Sequence, residues 1–326
     1  MTNLRRLVPL AALAVSPALA LACSSDPGTG GTTPTGTTTT STAPDGAPLP
    51  TGTTLPDGAV PPDDGSSPPT DGGSPGTPNT VGQGGIAAWL ALTTAQRNQV
   101  KGFKSVFLHQ SVGGDLEDGA NAPYAAGGAA GSEVFKFEYY QGSGTITGPG
   151  LNGGLTSSPN GNGPGKVADW RAASLANRTT LKVTNLEFGY ADINTAALPN
   201  LKNVYLAAVN ELKAAGIKVL HATPPLVHDV SENGPKLQMR EWMLQTFPND
   251  VIFDLEDLES TAPDGSRCQV GGVWRVCEVY RVNNAQGCTS NQNPGRDGDG
   301  QGHLCLQTAA TKIARAFLYA IYKANQ

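Results

Sequence analysis

No basic cluster occurs anywhere in this chain of 326 residues, whose 22 lysines and arginines are outnumbered by 27 aspartates and glutamates. A net-acidic chain without a basic patch lacks the electrostatic footprint of a nucleic-acid binder. The one long apolar run, Leu7 to Ala22, is broken by Ser16 and Pro17. It falls short of the ~20 residues that a membrane-spanning helix needs. No glycine-rich phosphate cradle follows a strand-like segment and no cluster of metal-ligating residues is evident, so neither cofactor nor metal is expected. Cysteine is scarce, with five in all. The spacings of Cys268, Cys277, Cys288 and Cys305 lack the close pairs of structural zinc modules.

What is abundant comes first in the chain. Arg5 and Arg6, the apolar run to Ala22 and the small residues ahead of Cys23 describe an export signal over residues 1–22. Ala20-Leu21-Ala22-Cys23 resembles a bacterial lipoprotein lipobox, which implies lipidation at Cys23; an ordinary secretory signal is the plain alternative. Residues 23–85 are nearly all Gly, Pro, Thr, Ser and Asp. Such a segment cannot bury enough apolar surface to offset the entropy of ordering, and reads as a disordered, proline-stiffened linker. In an exported protein the four remaining cysteines suggest two disulfides. Cys268–Cys277 and Cys288–Cys305 are favoured, because the first pair flanks an expected hairpin through Gly271-Gly272.

Residues 86–326 are long enough for one domain with a sizeable core. Helix patterns are expected at Thr94–Lys101, after Gly114, and at Leu201–Ala215, Pro235–Phe247 and Leu306–Tyr322. Strand patterns are expected at Lys104–Leu108, Glu133–Tyr140, Leu181–Phe188, Ile217–Leu220 and Val251–Leu255. Gly142 to Gly165 reads as one long loop. This alternation predicts an α/β domain, its mainly parallel central sheet covered on both faces. Ligands of such sheets sit beyond the C-terminal strand ends, and Ser111, Asp192 and the Thr223-Pro224 turn all fall there.

Two stretches look made to meet. Val106 to Gly114 (VFLHQSVGG) is an apolar strand ending in a serine and two glycines; Asp297 to Leu304 (DGDGQGHL) sets carboxylates and an imidazole just before the last helix. A serine hydroxyl is a poor nucleophile until an oriented base sits beside it. A strand-to-helix turn would lift such a serine clear of the sheet and aim free N–H groups at a developing oxyanion. His109 is too near Ser111 in an extended chain to face the same way and reads as orienting or structural. His221 and His228, which flank the proline turn, read as solvated or core residues.

With these blocks the chain resembles the SGNH/GDSL hydrolase superfamily, in a divergent branch whose nucleophile block reads HQSVGG. Asn160 to Val167 (NGNGPGKV) is similar to the second block, Glu187 to Ile193 (EFGYADI) to the third, and Asp299 with His303 to the last. The resemblance implies a three-layer flavodoxin-like fold and an esterase acting through Ser111, His303 and Asp299, with Asp297 a competing carboxylate. It further implies an oxyanion and binding set of Gly161, Asn162, Gly189 and Asp192, the last favoured as a supporting residue. Ala191 stands where the family carries an oxyanion asparagine, so a catalytically inactive carbohydrate- or ligand-binding module on the same fold is the alternative. Calcium binding through Asp297 to Thr308 fits poorly, since Thr308 occupies the place of the EF-hand glutamate. The expected protein is a monomeric, exported hydrolase of small-molecule or polysaccharide esters. It would be tethered to a bacterial membrane, the outer one, only through Cys23, or else secreted.

Overall fold

The computed structural model describes residues 79–122, 134–140, 145–146, 148, 150–282 and 301–326. The export segment, Cys23, most of the linker, Cys288, Asp297 and Asp299 lie outside the described residues. The strands are β1 (Thr80–Val81), β2 (Ser105–His109), β3 (Glu138–Tyr139), β4 (Leu151–Leu155), β5 (Val183–Leu186), β6 (Lys218–Ala222) and β7 (Ile252–Phe253). They form one sheet in the order β1-β7-β6-β5-β2-β4-β3, and every pairing within it is parallel. The helices are α1 (Gly84–Ala91), α2 (Thr94–Gln99), α3 (Val112–Asn121), α4 (Gly163–Ala176), α5 (Leu198–Ala214), α6 (Gly234–Thr246), α7 (Leu255–Ser260) and α8 (Thr311–Ala324). Among the described residues no helix is long and apolar enough to cross a membrane.

The two-residue period of a strand sends successive side chains to opposite faces, and β2 shows both cores forming from it. Phe107 joins the core built with Trp89 of α1, Leu116 of α3 and Phe317 of α8. Val106 and Leu108 join the core built with Trp170 of α4, Tyr205 of α5 and Met239 of α6. The fold is therefore α/β, an all-parallel sheet with helices on both faces, as the alternation predicted.

Three expectations change. The sheet begins inside the segment assigned to the linker, because Thr80 and Val81 pair with Ile252 and Phe253. The long Gly142–Gly165 loop contains a central strand, β4, which pairs with β2 from Ser105↔Leu151 to His109↔Leu155. Its glycines are there for room: a Cβ on Gly153 would lie 1.5 Å from Glu117 Oε1, and one on Gly154 would lie 1.7 Å from the Tyr140 carbonyl oxygen. Among the described residues of the strand expected over Glu133–Tyr140, only Glu138 and Tyr139 pair.

Smaller elements follow their sequence signals. Thr93 and Gln96 close a reciprocal capping box at the start of α2. Gly216 takes φ +79° directly after α5, the left-handed stop that glycine accepts without strain. Gln269–Val270 and Val273–Trp274 pair as the antiparallel hairpin through Gly271-Gly272, and the Cys268–Cys277 disulfide closes it. Cys305 is also disulfide-bonded.

Candidate active site

Ser111 follows β2 directly and precedes α3. Its φ of 56° and ψ of −112° make it the one non-glycine residue with positive φ among the described residues. Holding a serine there costs on the order of 1–3 kcal/mol, so the surroundings must over-determine it. They do. Gly113 N–H donates to the Gln110 carbonyl at 3.2 Å and Gly114 N–H to the Ser111 carbonyl at 3.0 Å. The Gln110 side-chain amide donates to the Thr156 and Ser158 carbonyls at 3.3 and 3.0 Å. Glu187 Oε2 accepts the Gln110 N–H at 3.3 Å. Gly113 must be glycine, because a Cβ would come within 2.3 Å of the His109 Cβ.

The remote imidazole does reach the serine. Ser111 Oγ lies 3.1 Å from His303 Nε2, across 192 positions of chain. His303 is held from several sides. Val282 N–H donates to its carbonyl at 3.0 Å, Cys305 N–H to the Tyr280 carbonyl at 2.8 Å, and His228 N–H to the Gln301 carbonyl at 2.8 Å.

The carboxylate that steadies the imidazole is one the sequence reading did not name. His303 Nδ1 lies 3.0 Å from Asp115 Oδ2, and the same oxygen accepts the Leu304 N–H at 2.9 Å. Asp299 was expected in that place; it lies outside the described residues, and the Nδ1 partner here is Asp115. The reason is helical pitch. Asp115 stands four residues after Ser111, one turn along α3, so both sit on the same helix face. Gly119, on the same helix, allows a close approach to the π-helical turn Leu306–Ala310, since a Cβ there would lie 2.3 Å from the Ala310 carbonyl oxygen. That contact carries α3 against the segment leading out of His303. Asp115 is fully buried. With its oxygen accepting at Nδ1–H, the imidazole presents Nε2 as an acceptor toward the Ser111 hydroxyl.

The expected oxyanion and binding set is arranged differently. Gly161 N–H donates to Asp192 Oδ1 at 2.8 Å and Gly189 N–H donates to Asp192 Oδ2 at 2.7 Å. Both N–H groups are thus committed to a carboxylate. Asn162 caps α4 by accepting the Gly165 N–H at 3.0 Å. Asp192 is buried, and besides these two N–H groups it meets Lys166 Nζ at 2.6 Å; no hydrogen bond from it to the nucleophile turn occurs among the described residues. Lys166 Nζ donates in addition to Asn160 Oδ1 at 2.9 Å. An ammonium can bond only the oxygen of that amide, so the Asn160 Nδ2 is left as a donor, with no partner among the described residues. The N–H groups of Ser111 and Val112, at the N-terminus of α3, likewise meet no acceptor among the described residues.

Two further histidines, His109 and His221, are buried. His109 Nε2 lies 3.0 Å from Glu117 Oε1, out of line for a hydrogen bond. His221, fully buried, is bonded to Tyr205 and Asp250, and burial pushes its pKa down. A cavity of about 1050 Å³ opens between Thr80–Gly85, Arg267 and Lys312, but Ser111, Asp115 and His303 do not line it. The candidate site is located by converging hydrogen bonds, not by cavity size.

The Lys166–Asp192 pair is fully buried on both sides. Removing one partner of such a pair strands the other charge, at a typical cost of about 3–5 kcal/mol. Lys166→Met is expected to lose that much in equilibrium urea unfolding. A loss under about 1 kcal/mol, the range of an exposed pair, would show that the pair does not hold these loops.

No family model matches this chain, and no curated protein matches it.

Proposed function

We propose that this protein is a serine hydrolase of the SGNH/GDSL kind that cleaves an ester. The observation that carries the reading is the Ser111–His303–Asp115 relay, with contacts of 3.1 and 3.0 Å across three separate parts of the chain. Both distances lie within hydrogen-bond reach for a working nucleophile and base. Ser111 Oγ attacks the acyl carbon while His303 Nε2 takes its proton. The Asp115 carboxylate holds the imidazole tautomer and favours the imidazolium that forms. His303 then returns the proton to the departing alkoxide, leaving an acyl group on Ser111. A water deprotonated by the same imidazole releases the acid. The N–H groups of Ser111 and Val112 are the donors open to the oxyanion, and the Asn160 amide, whose oxygen is bound by Lys166, is the side-chain candidate that would stand in for the asparagine replaced by Ala191.

Export through residues 1–22, a lipid anchor at Cys23 and a small-molecule or polysaccharide ester as substrate complete the proposal. They rest on the residues and on the resemblance. The inactive-module reading has one observation in its favour, since Gly161 and Gly189 have no N–H free for an oxyanion. One experiment separates the two readings. Purified protein is treated with a fluorophosphonate, which labels only an activated serine, and the adduct is mapped by mass spectrometry. A single adduct on the peptide holding Ser111, with loss of turnover on short-chain nitrophenyl esters, is the expected outcome. An unlabelled, inactive protein would favour the binding module.

A further inference from the structure

Glu187 is buried directly behind the nucleophile and has no role in the relay. It is fully inaccessible, Oε2 accepts the Gln110 N–H at 3.3 Å, and Oε1 has no partner. The space above it is filled, because a Cβ on Gly113 would lie 3.0 Å from Glu187 Oε2. We infer that Glu187 is a positioning residue: by accepting the N–H of the residue before the nucleophile, its carboxyl group holds the Ser111 turn in the strained conformation that points Oγ at His303. The inference rests on the esterase reading and goes beyond it by naming what keeps the nucleophile aimed.

The alternative is that Glu187 merely fills space, and the geometry argues against that. An acid with one oxygen unpartnered is a poor core filler, since burying an unsatisfied polar group costs roughly 1–3 kcal/mol. A leucine or methionine would fill the volume without that cost. What the apolar side chain cannot supply is an acceptor for the Gln110 N–H. That N–H has no other acceptor among the described residues, and it sits one residue from the single strained non-glycine position.

The titratable groups around Glu187 come from four elements and from the 3-10 turn Tyr190–Asp192. Lys166 of α4 faces it but donates to Asp192 and Asn160 instead. Asp192, Asp115 of α3 and Glu259 of α7 are acids within electrostatic reach. His109 of β2 is packed beside the same glycine. Burial, more than these neighbours, pushes the Glu187 pKa well above the usual carboxylate range. A pKa raised by folding means that the folded protein holds this proton longer than the unfolded chain. The associated stability is present at acidic pH and is lost as the pH rises through the folded-state value.

The test pairs Glu187→Met with Glu187→Gln. Glutamine keeps an acceptor oxygen, whereas methionine keeps only volume. Glu187→Met is expected to fold with an unchanged melting temperature, to keep KM within a few-fold, and to lose kcat by up to about 100-fold, the scale of a small misplacement of a reacting atom. Glu187→Gln is expected to restore most of that kcat and to lose less stability than wild type on the alkaline side. A methionine variant as active as wild type, or a glutamine variant no better than methionine, overturns the inference. Should the methionine variant not fold, amide exchange decides: the Gln110 N–H is expected to be protected in both wild type and Glu187→Gln, and rapid exchange in wild type overturns the inference. Wild-type turnover that Ser111→Ala lacks keeps the esterase reading standing whichever way Glu187 falls. Absence of that turnover removes both.

Discussion

Ser111→Ala is expected to lower kcat for ester hydrolysis by a factor on the order of 10⁵ or more, with little change in KM. Serine, imidazole and carboxylate act as a unit, so losing the attacking atom forfeits nearly the whole effect of the relay. Alanine at this position must also adopt φ 56°, and removing the hydroxyl does nothing to relieve that strain. The melting temperature should therefore move little, which separates loss of chemistry from loss of fold. The measurement is steady-state turnover of wild type and variant, prepared in parallel, on nitrophenyl esters. Equal rates would mean that any hydrolysis comes from another group, and the functional proposal would fall with it.

The second large effect belongs to Asp115. Asp115→Ala is expected to lower kcat by about 10⁴-fold, the scale seen when a triad imidazole loses its orienting acid. One oxygen, Oδ2, accepts from both His303 Nδ1 and the Leu304 N–H. Alanine thus frees the imidazole to turn and also removes the Asp115 acceptor of the Leu304 N–H. Asp115→Asn is expected to lose kcat on the same scale of about 10⁴-fold, because it keeps the shape but removes the negative charge and lets an amide N–H face Nδ1, which favours the wrong tautomer. The informative comparison is with the carboxylates near His303 in sequence. Asp299→Ala and Asp297→Ala are expected to stay within a few-fold of wild type. If Asp299→Ala were the damaging change and Asp115→Ala the benign one, the relay described here would be wrong in its third member.

That contrast shows where the sequence was readable. Ser111 and His303 could be picked out because each carries local punctuation. An apolar strand ends in Ser-Val-Gly-Gly, and an imidazole stands just ahead of an amphipathic helix whose apolar positions Ile313, Ala314, Phe317 and Ile321 are all buried. Asp115 carried a signal too, the four-residue spacing from Ser111, but spacing along one helix cannot say which imidazole a carboxylate will meet. Asp297 and Asp299 were nearer to His303 in sequence and so looked the better partners. The same limit hid β4. Leu151-Asn152-Gly153-Gly154-Leu155 has loop composition, and its glycines make sense only once Glu117 and the Tyr140 carbonyl are seen pressing on the strand. It also hid the roles of Gly161 and Gly189, whose N–H groups could not be known to be occupied until Asp192 was placed between them.

The α/β class, the parallel sheet and the two residues that exchange a proton in the proposed reaction were legible in the chain itself. Apolar periodicity, glycine stops and capping residues act over a few positions and are written along the sequence. Which acid orients the imidazole, which amides remain free and which buried carboxyl braces the nucleophile were decided by tertiary structure alone. Each of those depends on contacts between segments tens to hundreds of residues apart, where a shift of an ångström selects one hydrogen-bond partner over another.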